Sequence, residues 1–164
     1  MRTDGVQLSS QAIEELRDEI VNRHGKDYIP QVPRLYKSKA ANAQEAHEAI
    51  RPTSILRDPE KMSQYLDTEQ LKLYDLIWKR TISSQMQSAE LDETAADISN
   101  QDQTITFRAN GSQVIFPGFF VYRDREDDRL LPKFVENENV NLVDLNSEQH
   151  FTQPPPRYTD ASLI

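Results

Sequence analysis

The chain contains no cysteine, which removes disulfides, thiolate metal sites and a cysteine nucleophile together. It has no apolar run approaching the ~20 residues that a membrane-spanning helix needs. The first residues lack the basic-then-apolar pattern of a secretory signal. The cytoplasm is therefore the expected compartment. Histidine is scarce, and His24, His47 and His150 stand too far apart to read as a zinc site. His47-Glu48 is not completed by the second histidine of the zinc-protease helix motif. No internal repeat is present. What remains is a chain of 164 residues, room for one domain or two small ones, with a hydrophobic fraction of 37% and a charged fraction of 28%.

The net charge of −8 argues at first against a nucleic-acid partner. Its distribution reverses that argument. Residues 1–88 hold thirteen Lys/Arg and thirteen Asp/Glu, whereas residues 89–164 hold six and fourteen and so carry the whole excess. Within the neutral half, Lys26, Arg34, Lys37, Lys39, Arg51 and Arg57 face only Asp27, Glu45 and Glu48 over residues 26–57. A polyanion would bind there and not on the acidic half.

Periodicity also changes between the halves. Ser9 or Ser10 can cap a helix from about Ser10 to Arg23, with Ala12, Ile13, Leu16, Ile20 and Val21 at helical spacing and Gly25 as its stop. Residues 26–43, with Pro30 and Pro33, read as a long loop of the kind that often carries function. Gln44 to Ile50 can form a short helix that Pro52 ends. Pro59 opens another, to about Leu66. Asp67 or Thr68 caps a third, with Leu71, Tyr74, Ile77, Trp78 and Ile82 as its buried stripe, ending near Met86. Trp78 and Tyr74 read as core and not as a base-stacking platform.

After Ser88 the alternation is that of strands, at Thr94–Ile98 and Thr104–Arg108. Asn110-Gly111 before Val114–Phe116 predicts a hairpin turn. Val140–Leu145 and Phe151-Thr152 are further strand candidates. Asp124 to Arg129 reads as a solvated charge cluster without metal-ligand spacing, and Pro154–Pro156 as a stiff extended connector. The expectation is an α+β chain: helical residues 1–88, mostly antiparallel β residues 89–153, and a connector with the start of a further domain at 154–164. Both ends read as cut, the last segment stopping one turn into a helix that is unstable alone.

Two charged constellations carry candidate chemistry. One is Met1-Arg2-Thr3-Asp4, the other Gln44 to Pro52 with His47 and Arg51. A guanidinium presents a fork of donors suited to phosphate oxygens. An imidazole can change charge near neutral pH. Each feature has a plainer reading: a surface ion pair for Arg2 and Asp4, a histidine satisfied by a carbonyl for His47, an i,i+3 helix pair for Glu48 and Arg51, and solvated loop charges for Lys37 and Lys39. Residue by residue, the chain is an α+β protein with a possible anion site.

Four blocks together say more. Met1–Asp4 followed by Leu8-Ser9, then Gln44–Pro52, then Gln70–Trp78, then His150–Tyr158, resemble the bacterial type IA DNA topoisomerases, in their order and spacing, across the whole chain. The form is closer to topoisomerase I than to topoisomerase III. The resemblance implies a winged-helix-like helical gate domain followed by a β-rich arch, cut from a toroidal multi-domain enzyme. It implies ATP-independent relaxation of negatively supercoiled DNA by transient single-strand cleavage through a 5′-phosphotyrosine. Arg2 matches the arginine on the scissile phosphate. Asp4 and His47 match a pair that holds single-stranded DNA, and Arg51 would add a backbone contact.

The family's tyrosine precedes Met1, so Tyr28, Tyr36 and Tyr74 are no substitutes, and residues 1–164 alone are expected to be inactive. Gly5-Val6 stand where many members have Ser-Thr. Mg²⁺ would be held by an N-terminal domain outside this chain. Asp124, Glu126, Asp127 and Asp128 do not match its ligands. The other expected partners are DNA and the remaining domains of a monomeric, nucleoid-associated enzyme. The competing interpretation is a non-catalytic single-strand-binding or scaffold module.

Overall fold

Ser9 starts the first helix by accepting a hydrogen bond at its Oγ from the Ala12 amide at 3.4 Å. In the computed structural model, which describes residues 5–36, 48–123 and 128–159, this helix (α1) spans Ser10–His24. It ends at Gly25, whose φ of +96° costs a glycine little. A single 3-10 turn, Lys26–Tyr28, follows.

Helix α2 is Pro59–Met62 and helix α3 is Thr68–Ser84. Pro59 sits in the first turn of α2, and Asp58 caps it through the Lys61 amide at 2.9 Å. The helix stops short of the expected Leu66, because Ser63 Oγ donates to the Glu60 carbonyl at 2.6 Å and the chain turns. Asp67 and Gln70 form a reciprocal capping box on α3.

Leu16 and Ile20 of α1 meet Ile55, Trp78, Ile82 and Met86 in the buried core, with Leu8, Tyr28, Ile29, Tyr74, Phe119 and Tyr122 packed against it. Burying one such aliphatic side chain contributes about 1.5–3 kcal/mol. The Trp78 indole donates to the Ile55 carbonyl at 2.8 Å, so its one polar group is satisfied inside. Trp78 is therefore a core residue, as its helical spacing predicts. Beside it, Arg23 lies 5.1 Å over the indole ring and pairs with Glu19 at 2.5 Å and Asp58 at 2.9 Å.

The residues after α3 form a two-stranded antiparallel ribbon, β1 (Glu90–Ser99) with β2 (Thr106–Phe116). Its register overturns the expected turn. Asn110 and Gly111 lie inside β2, opposite Ala95 and Thr94. The reversal falls instead at Asn100–Ile105, where Asn100 Oδ1 accepts from the Ile105 amide at 3.1 Å and its Nδ2 donates to Thr104 Oγ1 at 2.8 Å. Gln103 there has φ +54°. Gly111 serves close approach: an ideal Cβ on it would stand 2.8 Å from the Arg129 carbonyl oxygen and 2.9 Å from Leu131 Cγ. Arg129 and Ser112 exchange backbone hydrogen bonds at 2.8 and 3.0 Å there.

The chain divides into two units, Met1–Leu131 and Pro132–Ile164. In the second, the described residues form no helix or strand. Val140, Leu142, Val143 and Leu145 are exposed, and the expected strands at 140–145 and 151–152 are absent. A strand needs a partner for its amides and carbonyls, and none runs alongside among the described residues. Pro154–Pro156 carry no regular element.

Candidate nucleic-acid interface

Leu8 packs against the helical core and so anchors the segment Gly5–Ser9. Gln7 forms a parallel bridge with Glu48, and the Ala49 amide donates to the Gln7 carbonyl at 2.7 Å. The expected helix over Gln44–Ile50 is thus absent at Glu48–Ile50, and Gln44–His47 lie outside the described residues. Backbone pairing with Gln7 and the constraint that Pro52 places on Arg51 favour extended chain here. Pro52 is buried, which fixes where Arg51 emerges.

Glu48 and Arg51 form a two-point ion pair. Arg51 Nε donates to Glu48 Oε1 at 2.8 Å and Nη2 to Oε2 at 3.3 Å. The Arg51 Nη1 group donates to the Pro52 carbonyl at 3.1 Å. Glu48 Oε1 also accepts from the Ser9 amide at 2.9 Å. The hydrogen bonds from Arg51 and then Ser9 hold the Glu48 carboxyl down at about 2. The pairing of Glu48 with Arg51 that i,i+3 spacing suggested is present, but on extended chain and not on a helix surface.

Of the predicted site residues, Arg51 is described, and Arg2, Asp4 and His47 lie outside the described residues, as do Lys37 and Lys39. The described stretches that adjoin them, 5–9 and 48–51, are side by side. Arg34, counted among the cations of the basic span, is committed elsewhere: Nε donates to the Met86 carbonyl at 3.0 Å and Nη2 to Ser88 Oγ at 2.7 Å. Sequence reasoning treated Glu48 only as a partner for Arg51. Its bond to the Ser9 amide joins positions far apart in the chain and leaves no local signal.

Among the described residues, no three His, Asp or Glu side chains gather to hold a metal ion. No helix among them is long and apolar enough to cross a membrane.

The Glu48–Arg51 pair thus stands beside the start of α1, tied to it through the Ser9 amide. The family model described as DNA topoisomerase matches residues 1–164. The chain belongs to the DNA topoisomerase family. DNA topoisomerase 1 of Rickettsia felis is 46% identical over 171 residues, covering 100% of this chain and 22% of that protein. The Xylella fastidiosa (Temecula1) protein of the same name is 47% identical over 174 residues, covering 100% and 21%. The solved structure of full-length topoisomerase I from Thermotoga maritima superposes with a TM-score of 0.70 at 34% identity, covering 84% of this chain and 21% of that one. The chain spans about a fifth of the length of the curated relatives it matches. The bacterial family that the four blocks resemble is thereby the one to which the chain belongs.

Proposed function

We propose that these residues serve a bacterial type IA DNA topoisomerase that relaxes negatively supercoiled DNA by cutting one strand and passing another through the gap. The observation that carries this reading is the parallel seating of Gly5–Ser9 against Glu48–Ile50, which draws the chain after Asp4 and the chain after His47 to one place. A tyrosine hydroxyl would attack the scissile phosphorus, forming a 5′-phosphotyrosine and releasing a 3′-hydroxyl. Return attack by that hydroxyl would reseal the strand and free the tyrosine. One phosphoester replaces another at each step, so no ATP is consumed.

In this reading Arg2 stabilises charge on the scissile phosphate. Asp4 orients His47 and favours its charged form, and His47 donates to the single strand. Arg51 adds a backbone contact. Residues 1–88 act as the helical gate, 89–153 belong to the arch, and 154–164 lead into the next domain. Mg²⁺ would be held by another domain of a monomeric, cytoplasmic enzyme, where it would supply charge for resealing. A polypeptide of residues 1–164 alone would make no covalent adduct, because the matching tyrosine precedes Met1.

The test uses the intact enzyme with a single-stranded oligonucleotide and with supercoiled plasmid, without ATP. The expected result is a covalent adduct at the 5′ end of the cut strand and loss of negative supercoils. Salt-sensitive binding with no adduct would replace this reading by a non-catalytic binding module.

A further inference from the structure

Glu48 joins the two stretches that adjoin the proposed pocket. Its carboxylate accepts from the Ser9 amide at 2.9 Å and from Arg51 at 2.8 and 3.3 Å, while its backbone is bridged to Gln7. The hydrophobic core does not include it. The Glu48 side chain is 39% exposed and that of Arg51 25%. A pair this open adds little to stability, so what it sets is direction. A guanidinium can bind an anion along its Nε/Nη2 edge or across its Nη1/Nη2 end. Glu48 takes the first edge, and the Pro52 carbonyl takes a donor on Nη1. A phosphate therefore meets Arg51 at its Nη1/Nη2 end, from a direction that Glu48 dictates. Glu48 also cancels the charge, so Arg51 offers oriented donors and little net attraction.

Resting on the function proposed above, we infer that Glu48 is a positioning residue of the DNA site. It touches no DNA, it turns the remaining Nη1 and Nη2 donors of Arg51 toward the phosphate, and it locks residues 48–51 to residues 5–9. Loss of the carboxylate separates binding from chemistry, since removing a negative charge favours a polyanion while loosening the donors disfavours cleavage.

The experiment compares the intact enzyme with its Glu48→Gln, Arg51→Gln and doubly substituted forms. Single-strand affinity is measured across salt, adduct yield at saturating oligonucleotide, and thermal melting. Glu48→Gln should bind at least as tightly, with a steeper salt dependence, yet form adduct about tenfold more slowly. That loss should vanish in the Arg51→Gln background, because Glu48 acts through Arg51. If Glu48→Gln melts early, Glu48→Asp keeps the charge and shortens the reach, and should slow adduct formation at unchanged salt dependence. A fall in affinity and adduct together with melting, or a Glu48→Gln loss that persists without Arg51, overturns the inference. Absence of adduct from the unaltered enzyme overturns the function on which it rests, which is a different result from a normal enzyme indifferent to Glu48.

Discussion

Arg34 fastens the chain just beyond α3: its Nε donates to the carbonyl of Met86 at 3.0 Å, two residues past the last helical residue, Ser84. Met86 is almost wholly buried, and a buried carbonyl left without a donor is costly. The side chain of Gln85 completes the clasp, accepting from the Arg34 amide at 3.2 Å and donating to the Arg34 carbonyl at 3.0 Å.

Arg34→Ala should therefore destabilise the protein by about 1–3 kcal/mol, the cost of an orphaned buried acceptor. Chemical denaturation of the intact protein measures it. The salt dependence of single-strand binding should stay as it was, because this guanidinium is spent on carbonyl and hydroxyl oxygens. A shallower salt dependence would place Arg34 on the phosphates instead.

Gly118 has φ +47°, and an ideal Cβ on it would stand 2.5 Å from the Gln87 carbonyl oxygen and 2.6 Å from the Ser88 carbonyl carbon and oxygen. Gly25 has φ +96° with nothing within 4 Å of the same position. Alanine at Gly25 meets conformational strain alone, about 1–3 kcal/mol. Alanine at Gly118 must also push backbone aside and should cost more. Parallel melting of the two variants decides it, and equal losses would contradict the close approach.

Acid should weaken the helical unit in two steps. Burial, then the charge of Arg23, lowers the His24 pKa below 6.5. The unfolded chain therefore takes up a proton that folded His24 resists, and stability falls as pH drops through 6.5. Burial alone would raise Asp58, but hydrogen bonds from the Lys61 amide, Arg23 and the Lys61 ammonium hold it at about 2 against 3.8. Its contribution, about 2 kcal/mol, is full above pH 4 and is lost as pH falls toward 2. Asp58→Asn should shrink the second step, to which the more exposed Glu48, also held at about 2, adds a smaller share, and should leave the first, as followed by melting against pH.

Gly111→Ala should release Arg129 from the ribbon, because the new methyl would stand 2.8 Å from the Arg129 carbonyl oxygen. Hydrogen exchange should quicken at the amides of Ser112 and Arg129, which are paired at 2.8 and 3.0 Å. Amides in the β1–β2 ladder near Ile98 and Phe107, away from the contact, should keep their protection.

Local chemistry was legible where it was also sufficient. Ser9 and Asp67 begin helices by caps, and Pro59 opens the short one between them, all written in a few adjacent residues, while the stripe through Trp78 and Ile82 follows from the helical period. The ribbon's turn was misplaced because Asn110-Gly111 offers good turn chemistry, whereas the actual reversal is built by the Asn100 side chain. Gly111 is needed for a neighbour eighteen residues on, which no local pattern reveals. Val140–Leu145 alternates as a strand does, but alternation does not supply a partner. At the site, the residue types were readable and the seating of Gln7 against Glu48 was not, since it joins positions far apart in the chain.

The amide of Phe119 donates to the carbonyl of Gln87 at 3.0 Å, and the amide of Gln87 donates to Tyr28 at 2.7 Å. The ribbon thus leaves and rejoins the helical unit at one point, as a side excursion whose two ends are already fastened together. Its tip can lengthen or shorten in related sequences without changing the distance that the helices must close, so length variation in this family should gather near Asn100–Ile105 and spare the fastening.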